Sequence, residues 1–431
     1  MGEGKVPMSV VTEETTQPCP QCGADIRADG RFTLWCAACD WNVDPQRPQE
    51  PEGRLERAQR ALARRYGEKL LAEVTAGQAL QARRDVPALL AYAIALAVHA
   101  TTLVLVVAGA WFLASEWGGL VPGVFLLLMA WALRPRVKRL PDDAPVLRRD
   151  QAPELFALLD EVAMVADTRG VDAVVVNAEL NASVGAVGVR GHRVLTLGMP
   201  LWEILTPQQR TALLGHEFGH YGHGDTRHGM VVGTALRSLA TWRYFFAPTA
   251  DPTMLQMAVN VVSFVPYLLV HGVLRLLDQL TLHATQRAEY LADRVAARAG
   301  STQATVQLMD RLLVIDSAAM MLRREANQAS LRGRAAAVED RLAGLWQRLA
   351  AYMASIPEYE YERQRRAGAL RGYSVDATHP PTHLRRACLL VGETALASVV
   401  TNPERELKIA TELADARGRV ARQILRHGFH D

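Results

Sequence analysis

At 431 residues the chain is long enough for two or three domains, and its net charge of +3 excludes the dense positive field of a protein that coats nucleic acid. Apolar residues make up 49%, but they gather into long runs, so the average conceals segments of membrane length. Five cysteines, four of them in two CxxC pairs near the N-terminus, point to metal rather than disulfides, and the polar stretch from Met1 to Gln17 does not read as a secretory signal.

Residues 17–42 carry Cys19-Pro-Gln-Cys22 and Cys36-Ala-Ala-Cys39 around a short segment with Phe32 and Trp35. Two tight CxxC turns joined by a hairpin surround one zinc ion with four thiolates, and a site so closed is structural. Two disulfides or a redox pair are the competing readings. Residues 43–86 follow as a linker rich in Pro, Gln and Glu and an arginine-crowded helix, Arg54 to Arg84. That helix is expected to be solvated and juxtamembrane, with affinity for anionic lipid headgroups.

Residues 87–134 read as a transmembrane hairpin. Ala88 to Ala114 exceeds the roughly 20 residues needed to cross a bilayer, and a shorter apolar run, Leu120 to Leu133, follows a brief break. Trp111, Trp117 and Trp131 lie near the ends, as interfacial tryptophans do. Basic residues flank the hairpin on both sides (Arg54 to Arg84 before, Arg134 to Arg139 after), and the loop between the runs has none. The positive-inside tendency therefore places the ribbon and everything after the hairpin on the cytoplasmic face of the cell membrane, where thiols stay reduced.

Residues 150–392 form the next unit. Ala152 to Arg169 has helical periodicity and ends at Gly170; Val171 to Val176, Asn181 to Val189 and Arg193 to Leu197 read as strands. The edge of such a sheet can hold an extended peptide by main-chain pairing. Then comes TPQQRTALLGHEFGHYGHGD from Thr206 to Asp225, a helix opened by Thr206 as N-cap, Pro207 at the first position and Gln209 closing a capping box. His216 and His220, four apart, face the same way and suit one metal ion, and Glu217 stands where its carboxylate reaches a water on that ion. Zinc in a hydrolase takes three protein ligands and keeps one open position. By spacing alone the third ligand stays open between His223, Asp225, His228 and the more distant Glu289 of Glu289-Tyr-Leu-Ala-Asp293. Asp293 is placed to accept a hydrogen bond from a ligand histidine.

Between these motifs, residues 229–277 contain two more apolar stretches, Met230 to Phe246 and Met254 to Leu277 with Pro266 inside, read as a second membrane hairpin or as amphipathic surface helices. Gln286 to Arg298 is helical again. Thr302 to Arg366 reads as helices packed over the core, Thr378-His379-Pro380-Pro381 as a polar loop, Cys388 as a small packed side chain, and 393–431 as a soluble tail with a helical portion. The fold class is mainly α with a small β-sheet.

Four motifs in this order, Asn181-Ala182 on a strand, His216-Glu-Phe-Gly-His220, Glu289 to Asp293, and His379-Pro-Pro followed by Arg385, resemble the membrane zinc metallopeptidases that include HtpX-like proteases and CAAX prenyl proteases. The resemblance implies a zincin-type domain in which Glu289 is the third zinc ligand and a membrane-inserted segment separates it from the zinc helix. It implies that Asn181 and Ala182 lie on the substrate-binding strand, that Asp293 and Arg385 support the ligands, and that His379 assists the oxyanion. The implied activity is endoproteolysis of membrane or membrane-associated proteins, with one catalytic and one structural Zn2+. Partners are a protein or peptide substrate and membrane lipids, not nucleic acid. The ribbon is an addition to the family pattern. Two other readings stand beside this one: a membrane-anchored binding protein that works through its ribbon, and a prenyl-peptide processing protease.

Overall fold

A computed structural model of the chain describes residues 15–45, 54–76, 86–115, 119–135, 140, 144–188, 190–222, 226–331, 341–371 and 381–429. The ribbon opens with two short antiparallel strands, β1 (Thr15–Pro18) and β2 (Asp25–Ala28). Helix α1 (Arg54–Thr75) follows, then two apolar helices packed on one another, α2 (Val86–Ala114) and α3 (Leu120–Leu133). A mixed sheet comes next: β3 (Val146–Leu147), α4 (Pro153–Val165), β4 (Ala173–Asn177), β5 (Ala182–Val187) and β6 (His192–Gly198). Its order is β3-β4-β6-β5, with β4 parallel to β6 and the β5–β6 pair antiparallel. The β5–β6 hairpin turns through Gly188 and Gly191, whose φ values of 70° and 65° a side chain would oppose. β5 is thus an edge strand.

The rest is helical: α5 (Met199–Ile204), α6 (Pro207–Gly222), α7 (Thr226–Phe246), α8 (Met254–Gly300), α9 (Thr302–Leu313), α10 (Ile315–Leu331), α11 (Leu345–Ala354), α12 (Glu358–Arg371), α13 (Thr382–Val391), α14 (Pro403–Glu412) and α15 (Ala414–His427). The main core joins Leu155, Leu159, Val174, Leu195, Leu197 and Leu214 with Leu322, Leu349 and Ile424, so the sheet, α6 and the late helices fold as one body. A second cluster packs α2, α3, α7 and α8 together through Ala95, Leu133, Leu239, Trp242 and Leu277, and the Trp242 indole N–H donates to the Leu133 carbonyl at 2.8 Å.

Four expectations change. The arginine-rich α1 keeps a solvated side, with Arg65, Glu68 and Lys69 exposed, but its other side packs on the body: Tyr66, Leu71 and Val74 meet Tyr290, Leu291 and Cys388, and a Cβ on Gly67 would come within 2.8 Å of the Leu384 side chain. Residues 254–277 and 286–298 belong to one continuous helix, α8, because the polar residues between them still lie within an unbroken helical run. Among the described residues two helices are long and apolar enough to cross a bilayer, Val86–Ala114 and Met254–Thr281; α7 is not one of them. The C-terminal segment is no separate tail: Val399, Ile409, Leu413, Val420, Ile424 and Phe429 lie in the main core.

Candidate metal centre

Helix α6 begins as its sequence dictates. The Thr206 N–H donates to Gln209 Oε1 at 3.0 Å and the Gln209 N–H to Thr206 Oγ1 at 3.4 Å, completing the capping box. Leu214 and Phe218 are buried in the core on one face of α6. The adjoining face is stripped of bulk. A Cβ on Gly215 would come within 2.8 Å of the Ala299 Cβ, one on Gly219 within 2.7 Å of the Ala292 Cα, and Gly300 presses equally close on Ala212. This seam of glycine and alanine lets α6 and α8 approach closely enough for their ligands to meet. Its signal in the sequence is the pair of glycines at i and i+4, Gly215 and Gly219, and the alanines Ala292, Ala296 and Ala299 that face them.

Across the seam, three side chains converge. His216 and His220 stand edge to face, with Nε2 atoms 3.3 Å apart. Glu289 of α8 places Oε2 at 3.5 Å from His216 Nε2 and Oε1 at 3.6 Å from His220 Nε2. Ligand bonds of 2.0–2.2 Å in a tetrahedral zinc site correspond to ligand–ligand separations of about 3.3–3.6 Å. The triangle therefore has the size and donor chemistry of three zinc ligands. His216 and Glu289 are buried while His220 is exposed, so the triangle is reached from one side.

Behind the ligands lies a charged support. His216 Nδ1 lies 3.0 Å from Asp293 Oδ1, which fixes the proton on Nδ1 and leaves the Nε2 lone pair for a metal. Asp293, one turn beyond Glu289 on α8, is gripped by Arg385 of α13 through Nε at 2.8 Å and Nη2 at 2.5 Å. Arg385 Nη1 is also 3.3 Å from Glu289 Oε2, so one guanidinium answers two buried carboxylates. The 3.4 Å approach of Arg385 Nη2 to His216 Nδ1 is proximity rather than a bond, because both groups are donors in this arrangement. Burial pushes the Asp293 carboxyl up, but the Arg385 guanidinium and the His216 ring outweigh it and hold Asp293 below the ordinary carboxylate range. It stays ionised.

The remaining expected residues fall as follows. Glu217 is half-buried on α6 beside the ligands. Asn181 is exposed immediately before β5; its Oδ1 accepts from the Ala182 N–H at 2.8 Å and its carbonyl from the Gly198 N–H at 2.9 Å, while Ala182 is buried. β5 packs against α6, which brings this edge of the sheet, unpaired among the described residues, beside the helix of His216 and His220. His379, His223 and Asp225 lie outside the described residues, as does the side chain of His228. Cys388 is buried against Tyr290 and Leu291, and burial pushes its thiol up to about 12.

In the ribbon, Cys19 Sγ and Cys39 Sγ are 3.7 Å apart, and Cys22 Sγ and Cys36 Sγ 3.6 Å. Thiolates bound to tetrahedral zinc at about 2.3 Å sit about 3.7 Å from one another, whereas a disulfide holds its sulfurs at about 2.05 Å. The four sulfurs have the spacing of a metal site.

Residues 150–390 match the family described as Peptidase family M48. A protease HtpX homolog of Thermoplasma volcanium is 25% identical over 205 residues, which cover 44% of this chain and 65% of that relative. The chain thus spans less than two thirds of the relative's length. No solved structure matches.

Proposed function

The chain belongs to peptidase family M48, and from that premise we propose that it is a protease, an integral-membrane, zinc-dependent endopeptidase. The observation that carries the reading is the donor triangle of His216, His220 and Glu289, sized for zinc and backed by Asp293 and Arg385. Zinc held by these three residues supplies Lewis-acid polarisation of the scissile carbonyl and lowers the pKa of water. Glu217 accepts the proton of the attacking water on its carboxylate and delivers it to the leaving amine nitrogen. Asp293 keeps the His216 Nδ1 proton in place throughout, and Arg385 keeps Asp293 charged. The free edge of β5, entered through Asn181 and Ala182, is the surface on which we place the extended substrate. His379, through the family resemblance, is assigned to the oxyanion. The ribbon thiolates hold the second, structural zinc.

Membrane insertion draws support from α2 and from the first part of α8, Met254–Thr281, little of which is buried within the fold. A surface so apolar and so uncovered suits lipid. Since α8 runs unbroken from this segment to Glu289, eight residues further on, the metal centre stands only about 12 Å along the helix from the apolar region. Substrates on this reading are polypeptides presented at the membrane surface, and the basic flanks of the first hairpin put that surface in the cytoplasm. The test is cleavage by purified protein in liposomes of one unstructured polypeptide, supplied free or tethered by a lipid anchor. Cleavage of both, with the tethered form preferred, is expected. Equal rates for the two forms would remove the membrane-surface part of the proposal, and cleavage of neither would remove the peptidase part.

A further inference from the structure

The ribbon precedes the region matched to the family, yet it is bolted to the catalytic half. The bolts come from one side of α12. Arg363 is buried; its Nε and Nη2 hold the Glu360 carboxylate at 2.8 and 2.7 Å, and its Nη1 donates to the Val43 carbonyl of the ribbon at 2.9 Å. Arg366 donates to the Ala37 carbonyl at 2.6 Å, pairs with Asp40 at 2.9 Å and lies 5.3 Å from the Trp35 ring. Arg371 grips the buried carboxylate of Asp44 through both nitrogens, with Nε at 2.7 Å. From the ribbon side, Arg31 donates to Ser355 Oγ at 2.8 Å, and Phe32 meets Tyr359 edge-on.

Apart from Phe32, the ribbon residues that these α12 side chains contact lie between Trp35 and Asp44, in the second CxxC turn and the residues flanking it. That turn is tightly wound: the Asp40 N–H donates to the Cys36 carbonyl at 2.9 Å, and Asp40 and Asn42 take φ values of 57° and 55°, which L residues adopt at a cost. The ribbon's own core is Cys19, Ile26 and Cys36 with a few half-buried neighbours, too little to hold that shape without its metal. The far side of α12 leads to the metal centre. Asp310 of α9 receives Arg365 of α12 at 3.3 Å and Arg386 of α13 at 3.2 Å, and Arg386 is next to Arg385, which holds Asp293.

We propose that the ribbon is a zinc-dependent brace of the peptidase site: the loaded ribbon holds α12, and α12 with Asp310 holds α13 and the Arg385 on it. Zinc supply to a site remote from the reacting atoms then sets the activity of the catalytic one. Trp35, one of the ribbon's aromatic residues, is buried against Arg366. The activity part of the proposal rests on the endopeptidase reading above; the coupling part does not.

The experiment uses the full chain in detergent with Asp44→Ala, Arg371→Ala, the double variant and Cys36→Ser, reading zinc content, kcat/KM on an unfolded protein, and hydrogen exchange of the α13 amides. Expected for each single docking variant are retention of both zinc ions, a fall in kcat/KM of about fivefold and faster exchange in α13. The double variant falls no further than the worse single. Cys36→Ser loses one zinc, keeps the other, and shows the same change in α13. Unchanged α13 exchange in Cys36→Ser and Arg371→Ala, or losses from the two singles that multiply in the double, would overturn the brace. If wild type cleaves nothing, the endopeptidase reading fails while the exchange measurements still decide the coupling.

Discussion

Asp293→Ala is the perturbation whose consequences the geometry specifies most fully. The carboxylate it removes is buried, accepts the His216 Nδ1 proton at 3.0 Å and takes a bidentate grip from Arg385. Two separate losses follow. Arg385, whose side chain is 12% exposed, is left as a buried cation without its main partner; breaking a buried ion pair from one side costs about 3–5 kcal/mol. His216 loses the acceptor that orients it, and removing such a partner weakens metal binding about 10–100-fold, or about 1.4–2.7 kcal/mol. The stability loss is the larger of the two. They separate in a second variant, Asp293→Ala with Arg385→Met, which replaces the pair with apolar volume and relieves the stranded charge. Calorimetry in detergent is expected to show a large fall in Tm for the single variant and partial recovery in the double. Competition with a chromophoric chelator is expected to show weakened zinc at the histidine site in both. Zinc affinity within twofold of wild type in the single variant, or recovered in the double, would refute the assignment of Asp293 as the residue that orients His216.

Three further predictions rest on the same centre. Gly219→Ala forces a Cβ to within 2.7 Å of the Ala292 backbone, so α6 and α8 must part; a loss of about 1–3 kcal/mol in stability and weaker zinc binding are expected, and wild-type values for both would contradict the seam. Because Asp293 titrates below the ordinary carboxylate range in the folded protein, its stabilisation is fully present above its unfolded pKa of about 3.9 and is lost as pH falls through the lower folded value. In zinc-loaded protein, where the metal occupies His216 Nε2 and keeps that ring from titrating, the stability gap between wild type and Asp293→Asn should therefore stay constant from about pH 8 to pH 5 and close only in stronger acid; a gap that closes near neutrality would contradict the pairing. Chelation should strip the three-ligand site, which keeps an open position, before the closed four-thiolate site, so activity should vanish with the first zinc released. Full activity after one zinc has left would reverse that order.

What the sequence disclosed, it disclosed through local spacing. The capping box at Thr206 and Gln209, the histidines at i and i+4, and Asp293 one turn beyond Glu289 are all properties of single helices, and all stand where their spacing put them. The convergence of Glu289 on the two histidines is not local. Glu289 meets His216 only because two helices far apart in the chain share a seam of small residues, and small residues carry no periodic apolar signal. The same holds for the docking of the ribbon. Val43 and Arg363 are 320 positions apart, and a carbonyl accepting from an arginine leaves no mark in composition. The continuity of α8 was obscured by Asp278, Gln279 and Arg287, polar residues that resemble a break when no tertiary neighbour is in view. The C-terminal segment looked like a tail because its amphipathic helices show one apolar face without showing what that face covers. It covers the main core.

The central claim is that His216, His220 and Glu289 hold a zinc ion at which Glu217 moves the proton of peptide hydrolysis. Its most direct test is the kcat/KM of Glu217→Gln on an unfolded protein, measured on samples whose zinc content is determined at the same time. The account predicts both zinc ions in place, as in wild type, and a fall of about 10²–10⁴-fold, the contribution of one general base. Activity within a few-fold of wild type in the zinc-loaded variant would contradict it.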